Sequence, residues 1–484
     1  MTDGAQLSAA DFGAAFKGFL EQSLSNAPAG EPFFHGRLAE HFGAPPTGLP
    51  IVSEPVAPHD HVNLQLALDD YLGADGRAFE LLGVSSQHKR MMGLALGDLA
   101  AAEGRNGGLF GAPVPDEGPV DYVNLPAGED SRLACLACGL FLVRDGDQRL
   151  AALVHGADTR GFGPGGVTVD VMAPDRAGAE RFLAGLRARM RARNVYRGRI
   201  VSLSVRPPMN TLDVRFHRLP PVDSDGIILP AGVLERIERQ TLRFAALRER
   251  LAAAGRHLKR GLLLWGPPGT GKTLTAMYLA RNMPDRTILL LTGQSLGLIE
   301  TSCSMARLLQ PSTVILEDVD LVAEERTRQS TGTNAVLFEL LNQMDGLGDD
   351  ADVLFVLTTN RPELLEPALA ARPGRVDEAI EVPLPDAECR SRLLDLYGRG
   401  LRLQLDDRDR VVERTEGVSA AFIKELLRKA AVLSADASSS ASGELTVTGE
   451  HVDRALFELV VEGGELTKSL LGVAPNAGRR PACG

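Results

Sequence analysis

Eight consecutive residues, Gly266, Pro267, Pro268, Gly269, Thr270, Gly271, Lys272 and Thr273, have the types and spacing to hold phosphate. They fit the pattern GxxxxGK[ST]. Glycines let backbone N–H groups turn inward around phosphate oxygens, where side chains would collide. Lys272 offers a point charge to the β and γ phosphates, and Thr273 offers a hydroxyl to Mg²⁺. A second signal is Val314-Ile315-Leu316-Glu317-Asp318-Val319-Asp320. Its apolar residues lead two adjacent carboxylates to a strand's C-terminal end, where open α/β sheets bind ligands. One carboxylate is expected to hold Mg²⁺ and the other to polarise an attacking water.

These residues need elements to carry them. The glycine loop follows an apolar run at 262–265 and precedes a helical stretch at 274–282. Strand, loop and helix together present the helix's positive end to the anion. Similar short apolar runs recur at 261–265, 287–291, 313–316, 353–357 and 379–382. They are too short and too apolar for surface strands, so buried parallel strands covered by helices on both faces are expected over 223–385. Residues 386–462 read as helices only. Residues 434–442 (SADASSSAS) read as a flexible insert, and 463–484 as a disordered tail. Residues 1–205 read as a separate α/β domain, with strands at 132–143 and 150–155, loops at 103–119 and 156–165, and a linker at 206–222. A helix is predicted over 174–194, where Phe182, Leu183, Leu186 and Met190 form a stripe at helical spacing.

Composition narrows the partners. The 484 residues carry 52 Lys and Arg against 63 Asp and Glu, a net charge of −11. An acidic whole argues against nucleic acid as the main partner. Arg187, Arg189, Arg191, Arg193, Arg197 and Arg199 form a basic run. It reads either as a contact for nucleic acid or an acidic protein, or as a solvated helix face paired with the acidic excess; the second is preferred. The five cysteines are scattered and odd in number, so a reducing cytoplasmic compartment is expected and no disulfide framework. Cys135 and Cys138 match CxxC but sit in the apolar run 133–143, which favours a buried strand over a metal or redox site. His59 and His61 form a possible metal pair, but Pro58 before them suggests an exposed loop. No signal peptide is recognised, and no apolar run approaches the roughly 20 residues of a membrane span.

With these motifs assembled, residues 223–462 resemble the AAA family. GPPGTGKT is that family's form of the phosphate loop. LLNQMDGL at 340–347 is similar to its intersubunit signalling segment, and Thr358-Thr359-Asn360 to the end of its sensor-1 strand. The stretch from Leu365 to Asp377, with Arg372 and Arg375, resembles its second region of homology. Gly417-Val418-Ser419-Ala420-Ala421-Phe422 resembles the start of its helical lid. The resemblance implies an α/β fold: a P-loop NTPase parallel sheet with a helical lid, preceded here by the separate N-terminal α/β domain. It implies ATP and Mg²⁺ as ligands. Gly266 to Leu274 would cradle the nucleotide, and Ile227 or Ile228 would line the adenine pocket. Asn360 would orient the lytic water or sense the γ-phosphate. Arg372 and Arg375 would act in trans on a neighbour's γ-phosphate, which implies a homo-oligomeric ring, usually a hexamer.

Several positions depart from the family's pattern. Most members read Asp-Glu at the acidic strand; here the order is Glu317-Asp318. By register, Glu317 with Thr273 takes the Mg²⁺ role and Asp318 the catalytic one. AAA translocases similar to the mitochondrial Rieske-protein translocase share that inversion, and are also compact in the segment matching 293–303, which here has no aromatic. A folded or large client is therefore expected rather than a threaded chain. No HExxH protease motif and no proteasome-docking tail are found. The reading that results is a ring ATPase that remodels, disassembles or translocates protein clients selected by the N-terminal domain. A nucleotide-gated scaffold with slow hydrolysis is the alternative, and a DNA-acting ATPase ranks below both. Trp265 is the single tryptophan and adjoins Gly266, which makes it a built-in reporter of nucleotide.

Overall fold

The computed structural model describes residues 32–85, 94–102, 115–156, 166–206, 211–220, 222–283, 285–320, 335–346, 348, 351–365, 376–437 and 445–462, together with Gly13 and Lys17. Backbone contacts divide the chain into two units: Met1–Val195 with Arg206–Asp213, and Tyr196–Val205 with Val214–Gly484.

The first unit is built on β1 (Ile51–Val56), β2 (Arg77–Ser85), β3 (Asp116–Gly118), β4 (Asp121–Pro126), β5 (Arg132–Asp145), β6 (Gln148–His155) and β7 (Val167–Met172). The order is β1-β7-β6-β5-β2-β3, with β4 also on β5. Pairings are antiparallel. Strand β5 is buried from Cys135 to Val143, because helices cover both faces. On one face α2 (His61–Leu72) and α4 (Arg176–Ala192) bring Leu64, Leu68, Phe182, Leu183 and Leu186 against Phe141, Val143 and Val169. On the other, α1 (Phe33–Phe42) and α3 (Leu96–Ala100) bring Phe34, Leu38, Leu96 and Leu99 against Leu140, Leu142 and Leu153.

This packing bears on several expectations about the N-terminal residues. Cys135 and Cys138 are buried in β5, and burial pushes the Cys135 thiol up to about 12, so it stays a thiol. His59 and His61 do not lie on an exposed loop. Pro58–Asp60 forms a 3₁₀ turn, and His61 opens α2 buried, with its Nε2 2.9 Å from the Leu136 carbonyl. No cluster of metal ligands occurs among the described residues. The basic run has acidic partners: Arg187 pairs with Glu54, and Arg189 and Arg193 both reach Asp70, at 3.0 Å and 2.6 Å.

In the second unit the five predicted strands appear as β10 (Arg260–Trp265), β11 (Thr287–Thr292), β12 (Ser312–Glu317), β13 (Val353–Thr359) and β14 (Glu378–Glu381). They pair in parallel. Two further strands, β8 (Ile200–Arg206) and β9 (Thr211–Phe216), of which Ile200–Val205 and Val214–Phe216 belong to this unit, complete the order β14-β10-β13-β12-β11-β8-β9. Sequence places 200–205 in the N-terminal block, yet β8 pairs in parallel with β11. Arg286 ties the strand starts together: its buried guanidinium donates to Asp352 at 2.6 Å, to Thr313 at 3.1 Å and to the Ser312 carbonyl. With one end fixed, the ends of β12, β13 and β10 lie side by side at the other.

Among the helices, α5 (Val233–Glu238), α6 (Lys272–Arg281), α7 (Ile299–Leu308) and α8 (Ala335–Asp345) accompany this sheet. The lid consists of α9 (Ala387–Tyr397), α10 (Arg408–Arg414), α11 (Ala420–Ala437) and α12 (Gly449–Phe457). Its own core includes Leu393, Leu394, Phe422, Ile423, Leu426, Val452 and Leu456. It is not helical throughout: β15 (Arg402–Gln404) and β16 (Thr446–Thr448) form a small parallel ladder. Nor does the chain leave helix at Ser434, which is buried in α11 and donates to the Thr446 carbonyl at 2.7 Å. The rest of the predicted insert, 438–442, and the tail 463–484 lie outside the described residues. Among the described residues no helix is long and apolar enough to cross a membrane.

Candidate functional site

The phosphate loop leaves β10 at Gly266 and enters α6 at Lys272. Two glycines have no substitute there. A Cβ at Gly266 would sit 2.3 Å from the Val382 carbonyl oxygen. Gly269 has φ 74, and a Cβ there would meet Ser419 Oγ at 2.7 Å and Ala421 Cβ at 2.8 Å. The close approach is a contact with the lid: the Ala421 N–H donates to the Gly269 carbonyl at 3.1 Å. Lys272 is buried and donates to the carbonyls of Gly266 and Pro267, each at 2.8 Å. Burial drops its ammonium to about 8, against the pull of Asp318 and Asp320.

Strand β12 ends at Glu317, and the chain turns through Asp318 at φ 49. A non-glycine residue in this left-handed region is uncommon, Asp and Asn being the favoured exceptions, and such strain clusters at functional sites. Burial, then repulsion from Asp318, pushes the Glu317 carboxyl up to about 7, while a hydrogen bond from Thr273 opposes the shift. Glu317 Oε1 is buried with no hydrogen-bond partner among the described residues. A hydroxyl beside an unpartnered carboxylate oxygen is a donor set that suits Mg²⁺, which takes oxygen ligands and usually few protein ones. Asp318 is also raised, by burial first and then by Asp320, with Lys272 and the Asn360 hydrogen bond opposing.

Just past β13, Asn360 Nδ2 donates to Asp318 Oδ1 at 3.2 Å, and within the strand Thr358 Oγ1 accepts the Asp318 N–H at 3.0 Å. Ile227 and Ile228 are both buried, Ile227 in the core of the sheet and Ile228 in that of the lid. Leu274 is 40% exposed on α6. The structure thus gathers Lys272, Thr273, Glu317, Asp318 and Asn360 at one end of the sheet. Arg372 and Arg375 lie outside the described residues. Two participants were not foreseen from sequence. Asp320 accepts from the Thr359 hydroxyl at 2.9 Å and from the Asn360 N–H at 3.2 Å. Ser419 caps α11 by accepting the Phe422 N–H at 3.2 Å. A serine three residues before an apolar run is a capping signal; Asp320 carries no such local sign.

The profile of the ATPase family associated with various cellular activities (AAA) matches residues 262–384. That interval holds the phosphate loop, the acidic turn and the β13 end just described. The chain carries an AAA-family ATPase domain. Its relatives include the proteasome-activating nucleotidase of Pyrococcus horikoshii, 36% identical over 184 residues, which are 35% of this chain and 46% of that protein. The 26S proteasome regulatory subunit 10B homolog A of Arabidopsis thaliana is 34% identical, again over 35% of this chain and 46% of that protein. The ATP-dependent zinc metalloprotease FtsH of Mycoplasmopsis pulmonis is 36% identical over 38% of this chain and 27% of that protein. The chain therefore spans about half or less of the length of these relatives. The likeness belongs to the AAA domain, whose family uses ATP with Mg²⁺.

Proposed function

We propose that this chain hydrolyses Mg-ATP as a homo-oligomeric ring, a hexamer, and uses the energy to remodel, disassemble or translocate protein clients. The observation that carries the reading is the meeting of Asp318 and Asn360 at 3.2 Å beside Lys272 and the unpartnered oxygen of Glu317. In this reading the loop N–H groups and Lys272 bind the β and γ phosphates. Thr273 and Glu317 hold Mg²⁺, which when bound neutralises phosphate charge. Asp318 draws a proton of the lytic water, and Asn360 orients that water toward phosphorus. Arg372 and Arg375 of a neighbouring copy neutralise charge as it builds on the γ-phosphate. Ile227 and Ile228 hold adenine between sheet and lid. A protein client accords with relatives named for the proteasome and for proteolysis. Scattered free cysteines accord with the cytoplasm.

The test is phosphate release by the full chain with Mg-ATP. Asp318→Asn is expected to keep ATP binding and lose turnover by about 10²-fold or more, the usual range for a positioned proton acceptor. Wild-type protein without turnover would refute the reading, and an active Asp318→Asn variant would refute the role given to Asp318.

A further inference from the structure

The turn after β12 carries a third carboxylate that the proposed mechanism does not use. Asp320 is 5% exposed, and its Oδ1 accepts both the Thr359 hydroxyl, at 2.9 Å, and the Asn360 backbone N–H, at 3.2 Å. Asp318 makes two bonds to the same strand end: its N–H donates to Thr358, and its Oδ1 accepts from Asn360 Nδ2. Thr358 and Thr359 at the end of β13 and the following Asn360 are thereby clasped by two residues of the turn. The clasp needs the left-handed turn at Asp318, φ 49, which lets the chain double back toward β13.

The clasp matters because of the valence of an amide. Asn360 Nδ2 carries two hydrogens and Oδ1 two lone pairs. One hydrogen goes to Asp318, so the other and the carbonyl oxygen remain for a phosphate oxygen or a water. Using both ends at once requires the Asn360 backbone to be held, and a charged acceptor makes the stronger kind of hydrogen bond for this. We propose that Asp320 is a positioning residue for hydrolysis, holding the Asn360 backbone so that its amide bridges Asp318 and the reacting phosphate. The inference rests on the function proposed above.

The experiment measures kcat for ATP, and the affinity of a fluorescent ATP analogue, in the full chain and four variants: Asp320→Ala, Asp320→Asn, Asn360→Ala and Asp320→Ala with Asn360→Ala. Asp320→Ala is expected to lower kcat about 10- to 100-fold, the scale of losing a hydrogen bond to a charged group. Analogue affinity is expected to hold within about twofold, since the loss falls on the transition state. Asp320→Asn keeps an acceptor oxygen and is expected to fall between. The double variant is expected to be no slower than Asn360→Ala alone, because coupled residues are not additive. Unchanged kcat in Asp320→Ala, loss of analogue affinity with kcat, or multiplying effects in the double variant each overturn the inference. If Asp320→Ala does not fold, Asp320→Asn in the Asn360→Ala background decides: further slowing there overturns it. A wild-type chain without turnover removes the proposed function and this inference together, whereas an active wild type with a fully active Asp320→Ala removes the inference alone.

Discussion

Glu317 and Asp318 are neighbours in sequence but have different surroundings. Glu317 ends β12 with one oxygen near Thr273 and the other unpartnered; Asp318 turns away at φ 49 to meet Asn360. A buried carboxyl with its value raised from 4.5 to about 7 binds protons more tightly folded than unfolded. Its contribution to stability is therefore full below the unfolded value and is lost as pH rises toward 7. Without metal or nucleotide, the melting temperature of the wild type minus that of Glu317→Gln is expected to fall between about pH 4.5 and 7 and then level off. A flat difference across that window would contradict the burial argument. Trp265 offers a second residue-scale check. It pairs with Thr359 and Glu381 across the two neighbouring strands and directly precedes the phosphate loop. ATP or ADP is expected to shift its emission, and Lys272→Ala to abolish the shift; an emission indifferent to nucleotide in the wild type counts against binding at this loop.

At the scale of elements, the loop and the lid touch where a side chain would not fit. Gly269 holds φ 74 with Ser419 and Ala421 over its α-carbon. Gly269→Ala would combine a disfavoured backbone region with a contact below 3 Å to two lid residues. The expected cost is about 1–3 kcal/mol of stability, read as a lower denaturation midpoint. Weaker nucleotide binding should accompany it, because the same loop carries the phosphate-facing N–H groups. A variant with unaltered midpoint and affinity would show that the lid does not press on the loop. The β12–β13 clasp is the second element-scale feature. It links the acidic turn to the strand end that lies between it and β10, so the three strand ends form one site.

Assembly and partner choice belong to the whole molecule. If Arg372 and Arg375 act in trans, turnover per chain should rise with protein concentration until the ring is complete. Arg372→Ala and Arg375→Ala should each lose about 10³-fold or more in turnover while still binding ATP. Full turnover by a monomer, checked by light scattering on the assayed sample, would rule out the shared site. The basic run is read as a solvated helix face rather than a nucleic-acid contact. Arg187, Arg189 and Arg193 have carboxylate partners, and the chain carries a net charge of −11. Duplex DNA is expected to leave ATP turnover unchanged at moderate salt, and stimulation that falls steeply with salt would reverse that view.

The phosphate loop, the acidic strand and the five central strands can be read from residues alone, because the demands on them are local. A phosphate cradle needs glycines and a lysine at fixed spacing, and a strand buried on both faces needs an unbroken apolar run. Local chemistry says nothing of partners distant along the chain. Asp320 meets Asn360 forty residues later, β8 joins β11 across more than eighty residues of chain, and His61 is drawn inside by a carbonyl 75 residues away. The N-terminal sheet is equally a product of distant pairing, since its strands find burial only when helices cover both faces. Tertiary structure decided these because strand order and side-chain burial are settled by competition among all surfaces of the chain at once, whereas the chemistry of phosphate was already written in eight residues.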